Sequence, residues 1–540
     1  MERREGSWFR AAALWPALCA MALVLAQGQW ASRNEAQTWD EGFALVSGLA
    51  QVEQGRLDLL VEWPPLMGLL AYVPLQALGP RLPPPPPDQL RDRLMADYAQ
   101  AFLYGSGNPH RTMLLRARWM ALLLMLPAVA ALVFWAHRLH GRAGAWLAAS
   151  LCAFEPSWLA HGHLTAWDGI ATSTMALTLA ATAWMLDRPS FPRAAALGLA
   201  LGLALIAKFS ALMLLPVLGV LLLASAPPLG RLRLASPLAR LPFRRTLLMA
   251  LVVGVVPLLV IGASYNGTFD LSRYVEGVRS IHALTSEGGK TFENYLLGEF
   301  RREPFPHYYL VALAVKLPLG FLALLPLGLV ASLRRGPVYL WLPAALGAGI
   351  VLVVTWFDPM NLGIRHVVPA IPPLLLLAAG APRLVAGKPR ASWAAAGAFV
   401  LAGLGAVEVL WRAPHYLSFF NLIAGGPAHG IEWLDDSSID WGQDLVALER
   451  LQREEGIDQL ALHYFGSARP AAYGIRSRPM RPEELTRPRP GTTYAISLHL
   501  LNRIGRPRGS PADWLSRHQP WRIAGTSIYL YRFNALDLAR

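Results

Sequence analysis

Residues 113–160 contain two apolar runs, MLLRARWMALLLMLPAVAALVFWA (113–136) and AGAWLAASLCAFEPSWLA (143–160), separated by the short basic segment HRLHGR (137–142). A helix that crosses the hydrocarbon core of a bilayer needs about 20 mostly apolar residues. Short clusters of Arg and Lys between such helices are typical of the cytoplasmic side of a membrane protein. This stretch therefore predicts membrane helices joined by a cytoplasmic loop.

The composition extends this pattern over most of the chain. Of its 540 residues, 54% are hydrophobic and 16% are charged, against about 25% charged in soluble proteins. The apolar runs lie in residues 1–410, whereas residues 411–540 have the composition of a soluble domain. The sequence thus predicts an all-α polytopic membrane bundle followed by a small soluble domain.

Eleven stretches are long and apolar enough to be considered as spans. The weakest are 194–207 and 210–225, which Lys208 separates; they are either two spans or one long helix. The predicted spans are 11–27, 113–136, 143–160, 169–186, 194–207, 210–225, 246–264, 308–332, 337–356, 366–381 and 391–410.

The charges of the connecting segments predict the topology. With a cytoplasmic N-terminus, the inside segments are 1–10, 137–142, 187–193, 226–245, 333–336 and 383–390, and each contains Arg or Lys. Their only acids are Glu2, Glu5 and Asp187. The positive-inside rule then places the loops 28–112 and 265–307 and the domain 411–540 outside the cytoplasmic (inner) membrane.

The first external loop contains an apolar segment, PLMGLLAYVPLQALG (65–79). Counting it as a span would invert all the basic loops, so a helix at the membrane interface is preferred. Five consecutive prolines, Pro83–Pro87, predict a stiff extended linker after it.

The C-terminal domain is predicted to be α/β. Three segments have strand character, 459–465, 492–500 and 526–533, and DLVALERLQREEG (444–456) has helix character, ending at Gly456. The segment DDSSIDWGQD (435–444) could bind an acceptor, a cation or nothing, and Asp440, Trp441 and Asp444 are interpreted as exposed residues of a small domain.

The other totals exclude several classes of protein. The net charge of +14 comes from clusters between apolar runs, not from a basic groove with interleaved aromatics, so nucleic acid is not expected as a partner. Both cysteines, Cys19 and Cys152, fall in predicted helices, which argues against disulfides and cysteine metal sites. Without a Walker-type glycine loop, an ATP-driven pump is not expected.

Acidic residues close to the external membrane face are candidates for chemistry, because carboxylates there need a solvated or bound environment. Asp40 and Glu41 follow the first span in TWDEGF (38–43), and Glu62 precedes a double proline in LDLLVEWPPL (57–66). The alternative for Asp40 is an ordinary helix cap.

A second external segment, LAHGHLTAWDGI (159–170), contains His161, His163 and Asp168. Histidine and carboxylate side chains together suit a divalent metal ion such as Mg²⁺, Mn²⁺ or Zn²⁺. The alternative, favoured for the histidines, is a polar turn with Asp168 at a helix N-terminus.

Three cations lie at the same predicted face. Lys208 stands alone in IAKFSALMLLP, and Arg365 and His366 lie in DPMNLGIRHVVPAIPP. An isolated cation there should have an anionic partner, and a phosphate suits the forked donors of arginine. The alternatives are snorkelling and a structural ion pair, for example with Asp358.

The order of these motifs resembles a known family. An Asp-Glu pair follows the first span, an acid-X-Pro-Pro-Leu element precedes an interfacial helix, and an Asp lies in the second external loop. An Asn-X-Gly-X-Arg-His-X-X-Pro element lies near the last spans, and 419–451 is similar to the tail of bacterial members. Residues 1–410 thus resemble the GT-C superfamily of glycosyltransferases, in particular family 39, which includes protein O-mannosyltransferases and lipid A aminoarabinose transferases.

The resemblance implies that a sugar on a polyprenyl phosphate moves, with inversion, to a protein, lipid or glycan acceptor. It implies that Asp40 is the general base, and it makes Glu41 and Asp168 further catalytic candidates. Arg365 and His366, with Lys208, become candidates for binding the donor phosphate. Asp168 and His163 become candidates for a metal.

The same resemblance makes Glu62 and Trp63 candidates for substrate binding, since Glu62 matches the family's acid before the double proline. Trp63 departs from the pattern, because the aminoarabinose transferases tend to have Lys there and the O-mannosyltransferases His. An interfacial aromatic is the preferred interpretation of Trp63. The tail lacks the sugar-binding repeats of the eukaryotic enzymes, which favours a bacterial envelope acceptor.

Two other functions are compatible with part of this pattern. A transporter or flippase for lipid-linked sugars would share the basic external sites, but it should place ionisable groups near the bilayer midplane. A non-catalytic envelope assembly protein would not need Asp40. A membrane sugar transferase is therefore the leading prediction, with membrane lipids around it.

Overall fold

The computed structural model describes residues 11–84, 92–226, 236–385 and 391–534. The N-terminal flank, the last three residues of the proline run and the basic residues Arg231, Arg233, Lys388 and Arg390 lie outside the described residues. The described part is mainly helical, with a sheet near the C-terminus. The predicted fold class, a bundle of apolar helices with a small α/β region after it, is confirmed.

Helices of the first half begin with α1 after the N-terminal flank and end with α10. They are α1 Ala11–Asn34, α2 Glu41–Gln54, α3 Leu66–Leu75, α4 Asp92–Gln100, α5 His110–Ala153, α6 Pro156–Gly162, α7 Trp167–Asp187, α8 Phe191–Ala207, α9 Leu214–Ser225 and α10 Phe243–Ser264.

Helices of the second half begin with α11 in the loop after α10 and end with α20 in the C-terminal region. They are α11 Ser272–Thr291, α12 Tyr308–Lys316, α13 Leu319–Arg335, α14 Val338–Trp356, α15 Ile371–Ala378, α16 Ala391–Arg412, α17 Gly430–Trp433, α18 Leu445–Glu454, α19 Leu498–Ile504 and α20 Trp514–Arg517.

Within the described residues, six helices are long and apolar enough to cross a membrane, and a seventh span results if α12 and α13 count as one. The spans predicted at 113–136 and 143–160 are both in α5, which Gly141 interrupts with φ 77° and ψ −165°. A positive φ is accessible to glycine at little steric cost. The two predicted spans are therefore two helices that meet at a kink at Gly141, within the basic segment 137–142.

The span predicted at 308–332 is wrong as a single helix. The chain bends by 113° between α12 and α13, where Pro318 precedes Leu319 and cannot donate a helical hydrogen bond. The span predicted at 366–381 is also shorter than expected, since α15 has 8 residues between short 3₁₀ turns.

The uncertain pair around Lys208 consists of two helices. Lys208 is extended, with φ −158° and ψ 137°, between α8 and a 3₁₀ turn that leads into α9. The apolar segment at 65–79 contains α3, whose 10 residues are about half the length that crossing a bilayer requires.

Polar contacts bring several of the predicted cytoplasmic loops to one end of the bundle. Arg138 donates to Asp187 at 2.7 Å and 3.0 Å, and Tyr339 donates to the same carboxylate at 3.1 Å. Ser236 donates to the carbonyl of Leu186 at 2.9 Å. The segments around these residues therefore share one end, as the charge pattern predicted.

The C-terminal region contains a five-stranded sheet of order β4-β3-β5-β7-β6. β3 is parallel to β4 and β5, and β7 is antiparallel to β5 and β6. The strands are β3 Leu460–His463, β4 Ser477–Pro479, β5 Thr493–Ser497, β6 Arg522–Ala524 and β7 Ile528–Arg532, after a hairpin of β1 Asn294–Leu296 and β2 Glu299–Arg301.

The predicted strands correspond to β3, β5 and β7, and the predicted helix corresponds to α18. The segment 492–500 is strand only as far as Ser497, because α19 begins at Leu498. The edge strands β4 and β6 have three residues each and were not predicted.

The sheet region and the bundle share one hydrophobic core. Phe419, Phe420, Trp441 and Tyr494 are buried in the same cluster as the helices α1 to α15. Ala36, just after α1, packs instead with the apolar face of the sheet and α18. The C-terminal region is therefore packed directly on the end of the bundle that is opposite to Asp187.

Candidate functional site

Asp40 lies at the end of the bundle that faces the sheet region. It immediately precedes α2, and its side chain makes no capping hydrogen bond to that helix. Its Oδ2 instead accepts a hydrogen bond from Nη1 of Arg365 at 3.2 Å. The carboxylate is thus directed away from α2 and towards the turn that follows α14.

A second ion pair joins Asp168 to Lys208. Asp168 is in the first turn of α7, and its Oδ1 accepts from Nζ of Lys208 at 2.5 Å. Because Lys208 is extended between two helices, its side chain leaves the apolar run and reaches α7. The break at Lys208 therefore places a cation beside Asp168.

The two ion pairs form one electrostatic group. Asp40 interacts with Arg365, Asp168 and Lys208, and Arg365 interacts with both carboxylates. The side chains are mostly buried but reach the surface, with exposed fractions of 13% for Asp40, 15% for Arg365 and 22% for Lys208. The structure thus brings together four of the predicted site residues.

Burial and charge set the protonation of Asp40. Burial raises the pKa of Asp40 and is the largest effect, Arg365 and Lys208 lower it, and Asp168 raises it, with the result that the pKa is about 6. An aspartate in water has a pKa near about 3.9. At neutral pH the carboxylate is therefore ionised but is a stronger base than an ordinary aspartate, as a general base requires.

His366 lies next to Arg365 but pairs with a different carboxylate. Its Nδ1 is 2.5 Å from Oδ2 of Asp358, and Tyr309 donates to the same oxygen at 2.6 Å. Burial raises the pKa of Asp358, but His366 and Tyr309 outweigh it and lower the pKa below its usual value. The structural pair with Asp358 thus exists for His366, whereas Arg365 pairs with Asp40.

Glu41 is separated from this group although it adjoins Asp40 in sequence. Arg118 of α5 donates to both of its oxygens, at 2.8 Å and 2.6 Å, and both side chains are fully buried. Glu41 also accepts from the backbone of Thr38 and Thr165 at 2.9 Å each. These contacts occupy the carboxylate and connect α1, α2, α5 and the segment before α7.

Arg118 was not among the predicted site residues. A signal for it existed, because it is an arginine inside the apolar run 113–136, and a charge there needs an internal partner. It also donates to the carbonyls of Ser32, Glu35 and Ala36.

The structure does not bring His163 to Asp168 as a metal-binding group. His163 contacts Glu35 at 2.9 Å through Nε2 and the carbonyl of Leu159 at 2.8 Å through Nδ1. Over the described ranges, no group of three or more His, Cys, Asp or Glu has the arrangement to hold a metal ion. Both ring nitrogens of His163 thus contact protein groups, and the divalent metal stays a prediction.

Trp63 lines a cleft that α2, the double-proline segment and the start of α7 enclose. Trp63 packs against Trp167 with ring centroids 5.4 Å apart, and Glu62 accepts from Ser280 of α11 at 2.9 Å. Trp63 therefore lines this cleft together with Trp167, the residue before Asp168, and its interpretation as an interfacial aromatic stays a prediction.

The interpretation of Asp440, Trp441 and Asp444 as exposed residues is wrong, because all three are buried. The ring of Trp441 lies 5.1 Å from the Arg365 guanidinium. Asp444 accepts from the backbone of Thr526 and Ser527 at 2.7 Å and 2.8 Å. The local sequence could not show this, because residues far away in the sequence, such as Arg365, His499 and Thr526, cover these side chains.

Residues 111–260 match the family described as dolichyl-phosphate-mannose-protein mannosyltransferase. The predicted resemblance is confirmed. The matched segment runs from α5 to α10 and contains Asp168 and Lys208. With its apolar helices, the chain is a multi-pass membrane protein, and residues 111–260 are similar to a family of glycosyltransferases. No curated protein sequence matches it.

Solved structures similar to this chain include ArnT from Cupriavidus metallidurans in the apo state, with 16% identity, a TM-score of 0.49 and coverage of 96% of this chain and 98% of that one. The same protein bound to undecaprenyl phosphate has 16% identity, a TM-score of 0.47 and coverage of 97% and 99%. The Archaeoglobus fulgidus oligosaccharyltransferase in the apo form has 11% identity, a TM-score of 0.47 and coverage of 75% and 55%.

Proposed function

We propose that this protein transfers a sugar from a polyprenyl-phosphate donor to an acceptor hydroxyl, with Asp40 as the general base. The observation that supports this most directly is the contact between Asp40 and Arg365 beside the Asp168–Lys208 pair. A transfer of this kind needs a base for the acceptor and cations for the phosphate, and the site contains both. The family match over residues 111–260 supports the same reaction.

In the proposed step, the acceptor hydroxyl oxygen forms a bond to the anomeric carbon of the donor sugar. Asp40 takes the hydroxyl proton as that bond forms. The bond between the anomeric carbon and the phosphate oxygen breaks, and the electron pair stays with the phosphate. Attack from the side opposite to the phosphate inverts the configuration at the anomeric carbon.

The leaving polyprenyl phosphate gains negative charge, which Arg365 and Lys208 are placed to stabilise. Arg365 has five N–H donors, and it donates from Nε to the carbonyl of Leu362 and from Nη1 to Asp40. A phosphate that attracts Arg365 away from Asp40 also removes part of the interaction that lowers the Asp40 pKa. Donor binding would therefore make Asp40 a stronger base.

We further propose that the site lies on the outer face of the cytoplasmic membrane. The segments around Arg138, Asp187 and Arg383 lie at the other end of the bundle, and the basic residues there favour the cytoplasm. The sheet region then lies outside, where a protein, lipid or glycan of the envelope can reach Asp40. A reporter enzyme that is active only outside the cytoplasm should therefore be active when it is fused after residue 540.

The decisive experiment compares Asp40→Asn with Glu53→Gln in purified protein. Glu53 is an exposed acid of the same loop. Both variants are incubated with radiolabelled polyprenyl-phosphate sugars and extracted envelope acceptors. We expect Asp40→Asn to lose about 10²- to 10⁴-fold in rate and Glu53→Gln to keep the wild-type rate. Full transfer by a folded Asp40→Asn protein would overturn the assignment of the base.

A further inference from the structure

We propose that the segment Asp435–Asp444, named here the tail loop, completes the transfer site, and that Trp441 is a positioning residue for Arg365. The inference rests on the proposed function, because it assigns a role within that same site. The tail loop belongs to the soluble region and comes after the last membrane helix, so a site built only from membrane segments would not include it.

Trp441 contacts both sides of the Asp40–Arg365 pair. Its ring lies 5.1 Å from the Arg365 guanidinium, and its backbone carbonyl accepts from the backbone N–H of Trp39, the neighbour of Asp40, at 3.2 Å. The edge of the ring also contacts His161, with centroids 5.8 Å apart. Trp441 thus holds the Arg365 guanidinium with its ring, and it holds the chain before Asp40 with its backbone carbonyl.

Two serines of the tail loop hold the turn that presents Arg365. The backbone N–H of Ile364 donates to Oγ of Ser438 at 3.0 Å, and Oγ of Ser437 donates to the carbonyl of Leu362 at 3.1 Å. Arg365 donates from Nε to that same carbonyl at 3.2 Å. The turn that contains Arg365 is therefore attached to the tail loop at Leu362 and Ile364, two of the three residues before Arg365.

The tail loop is in turn attached to the membrane helices by Lys316. This fully buried lysine of α12 donates to the carbonyls of Ser438 and Leu417 at 2.6 Å and 2.7 Å, and it lies over the ring of Phe420. Lys316 is the last residue of α12 before the 113° bend. The amine of Lys316, at the start of the bend, is thus directed at backbone carbonyls of the C-terminal region.

These contacts explain how Arg365 is kept in one place when its ionic partner changes. In the proposed reaction Arg365 meets a phosphate, and the ion pair with Asp40 is then weakened. The ring face of Trp441 and the serine-held turn do not depend on that ion pair. Trp441 should therefore affect phosphate binding through the position of Arg365.

Binding of undecaprenyl phosphate to the full-length protein in detergent tests this directly. Trp441→Leu removes the aromatic face while keeping an apolar side chain, and we expect its Kd to rise about tenfold, within the about 2- to 30-fold range of a cation–π contact. Trp441→Phe retains a ring face and should recover most of the affinity.

Trp521→Leu is the matched control. Trp521 also lies against a guanidinium, that of Arg532 at 3.6 Å, but on the outer strands of the sheet. We expect its Kd to equal that of the wild type. If Trp441→Leu binds as tightly as Trp521→Leu, the positioning role is wrong although the proposed function stands. If the wild type itself does not bind undecaprenyl phosphate, the proposed function fails as well.

Ser438→Ala keeps the test decisive if Trp441→Leu does not fold. It removes the hydroxyl that accepts from Ile364 and leaves the aromatic contact in place. A rise in Kd for folded Ser438→Ala supports the role of the tail loop, and an unchanged Kd overturns it. Fluorescence-detected thermal unfolding establishes which variants are folded.

Discussion

Arg365 donates a hydrogen bond of 3.2 Å to Asp40, which lies 325 positions earlier in the sequence. This contact joins the loop after the first membrane helix to the turn after α14. Because the two groups have opposite charges, Arg365 lowers the pKa of Asp40. Their pairing therefore affects how the rate of transfer depends on pH.

The rate of transfer should depend on ionised Asp40, whose pKa is about 6. We expect kcat/KM to be constant at neutral pH and to fall tenfold per pH unit below about pH 6, since a protonated carboxyl cannot accept the acceptor proton. Arg365 lowers this pKa and Asp168 raises it. Arg365→Gln should therefore move the acid limb to higher pH, and Asp168→Asn should move it to lower pH.

Measuring pH–rate profiles of the wild type, Arg365→Gln and Asp168→Asn checks the direction of both shifts. Glu53→Gln, whose side chain is exposed at the end of α2, should have the wild-type profile. Shifts of the same sign in Arg365→Gln and Asp168→Asn would contradict the electrostatic description of the site.

The Asp168–Lys208 pair should contribute to both stability and transfer. Asp168 is 4% exposed, so Lys208→Met leaves a buried carboxylate without its cation, which costs about 3–5 kcal/mol. Adding Asp168→Asn removes that charge and should restore the thermal unfolding temperature. Transfer should stay low in the double variant, because the cation for the phosphate is still missing. Recovery of transfer together with stability would show that the pair is only structural.

The sequence predicted the members of the site better than their pairing. Asp40, Asp168, Lys208 and Arg365 could each be found as charges near one predicted face of the membrane. The choice of partner depends on how α7, α8 and the turn after α14 are arranged in space. Asp358 was a reasonable alternative partner for Arg365 from the sequence, but in the structure Asp358 contacts His366.

The breaks in the helices were also difficult to predict from the sequence. The run 308–332 has the average hydropathy of a span, and averaging conceals Lys316 and Pro318, which together mark the bend. Trp441 shows another limit, because its neighbours are polar and its burial comes from helices far away in sequence. The pattern of apolar residues within 435–444 therefore does not predict that Trp441 is buried.

Glu41 and Asp40 should behave differently although they are adjacent. Glu41 is fully buried with both oxygens bonded to Arg118, so Glu41→Gln leaves Arg118 without its anion and should cost about 3–5 kcal/mol of stability. Asp40→Asn should leave the unfolding temperature close to that of the wild type while it abolishes transfer. Thermal unfolding and transfer are measured for both. A stable, inactive Glu41→Gln protein would instead favour a catalytic role for Glu41.

The turn that carries Arg365 should depend on glycine at position 363. Gly363 has φ 71°, and a Cβ there would lie 2.3 Å from Oγ of Ser437. Since both the backbone conformation and the contact disfavour a side chain, Gly363→Ala should shift the turn away from the tail loop. We expect kcat/KM to fall by about tenfold or more, which corresponds to about 1.4 kcal/mol of lost transition-state stabilisation.

Gly349→Ala in α14 is the control, because no atom lies within 4 Å of the Cβ it would add, and alanine favours a helix over glycine by about 1 kcal/mol. It should keep the wild-type kcat/KM. Combining Gly363→Ala with Ser437→Ala removes the nearest clashing atom and should recover part of the loss, since the strain of the positive φ remains. If Gly363→Ala is as active as Gly349→Ala, the position of Arg365 does not depend on this turn.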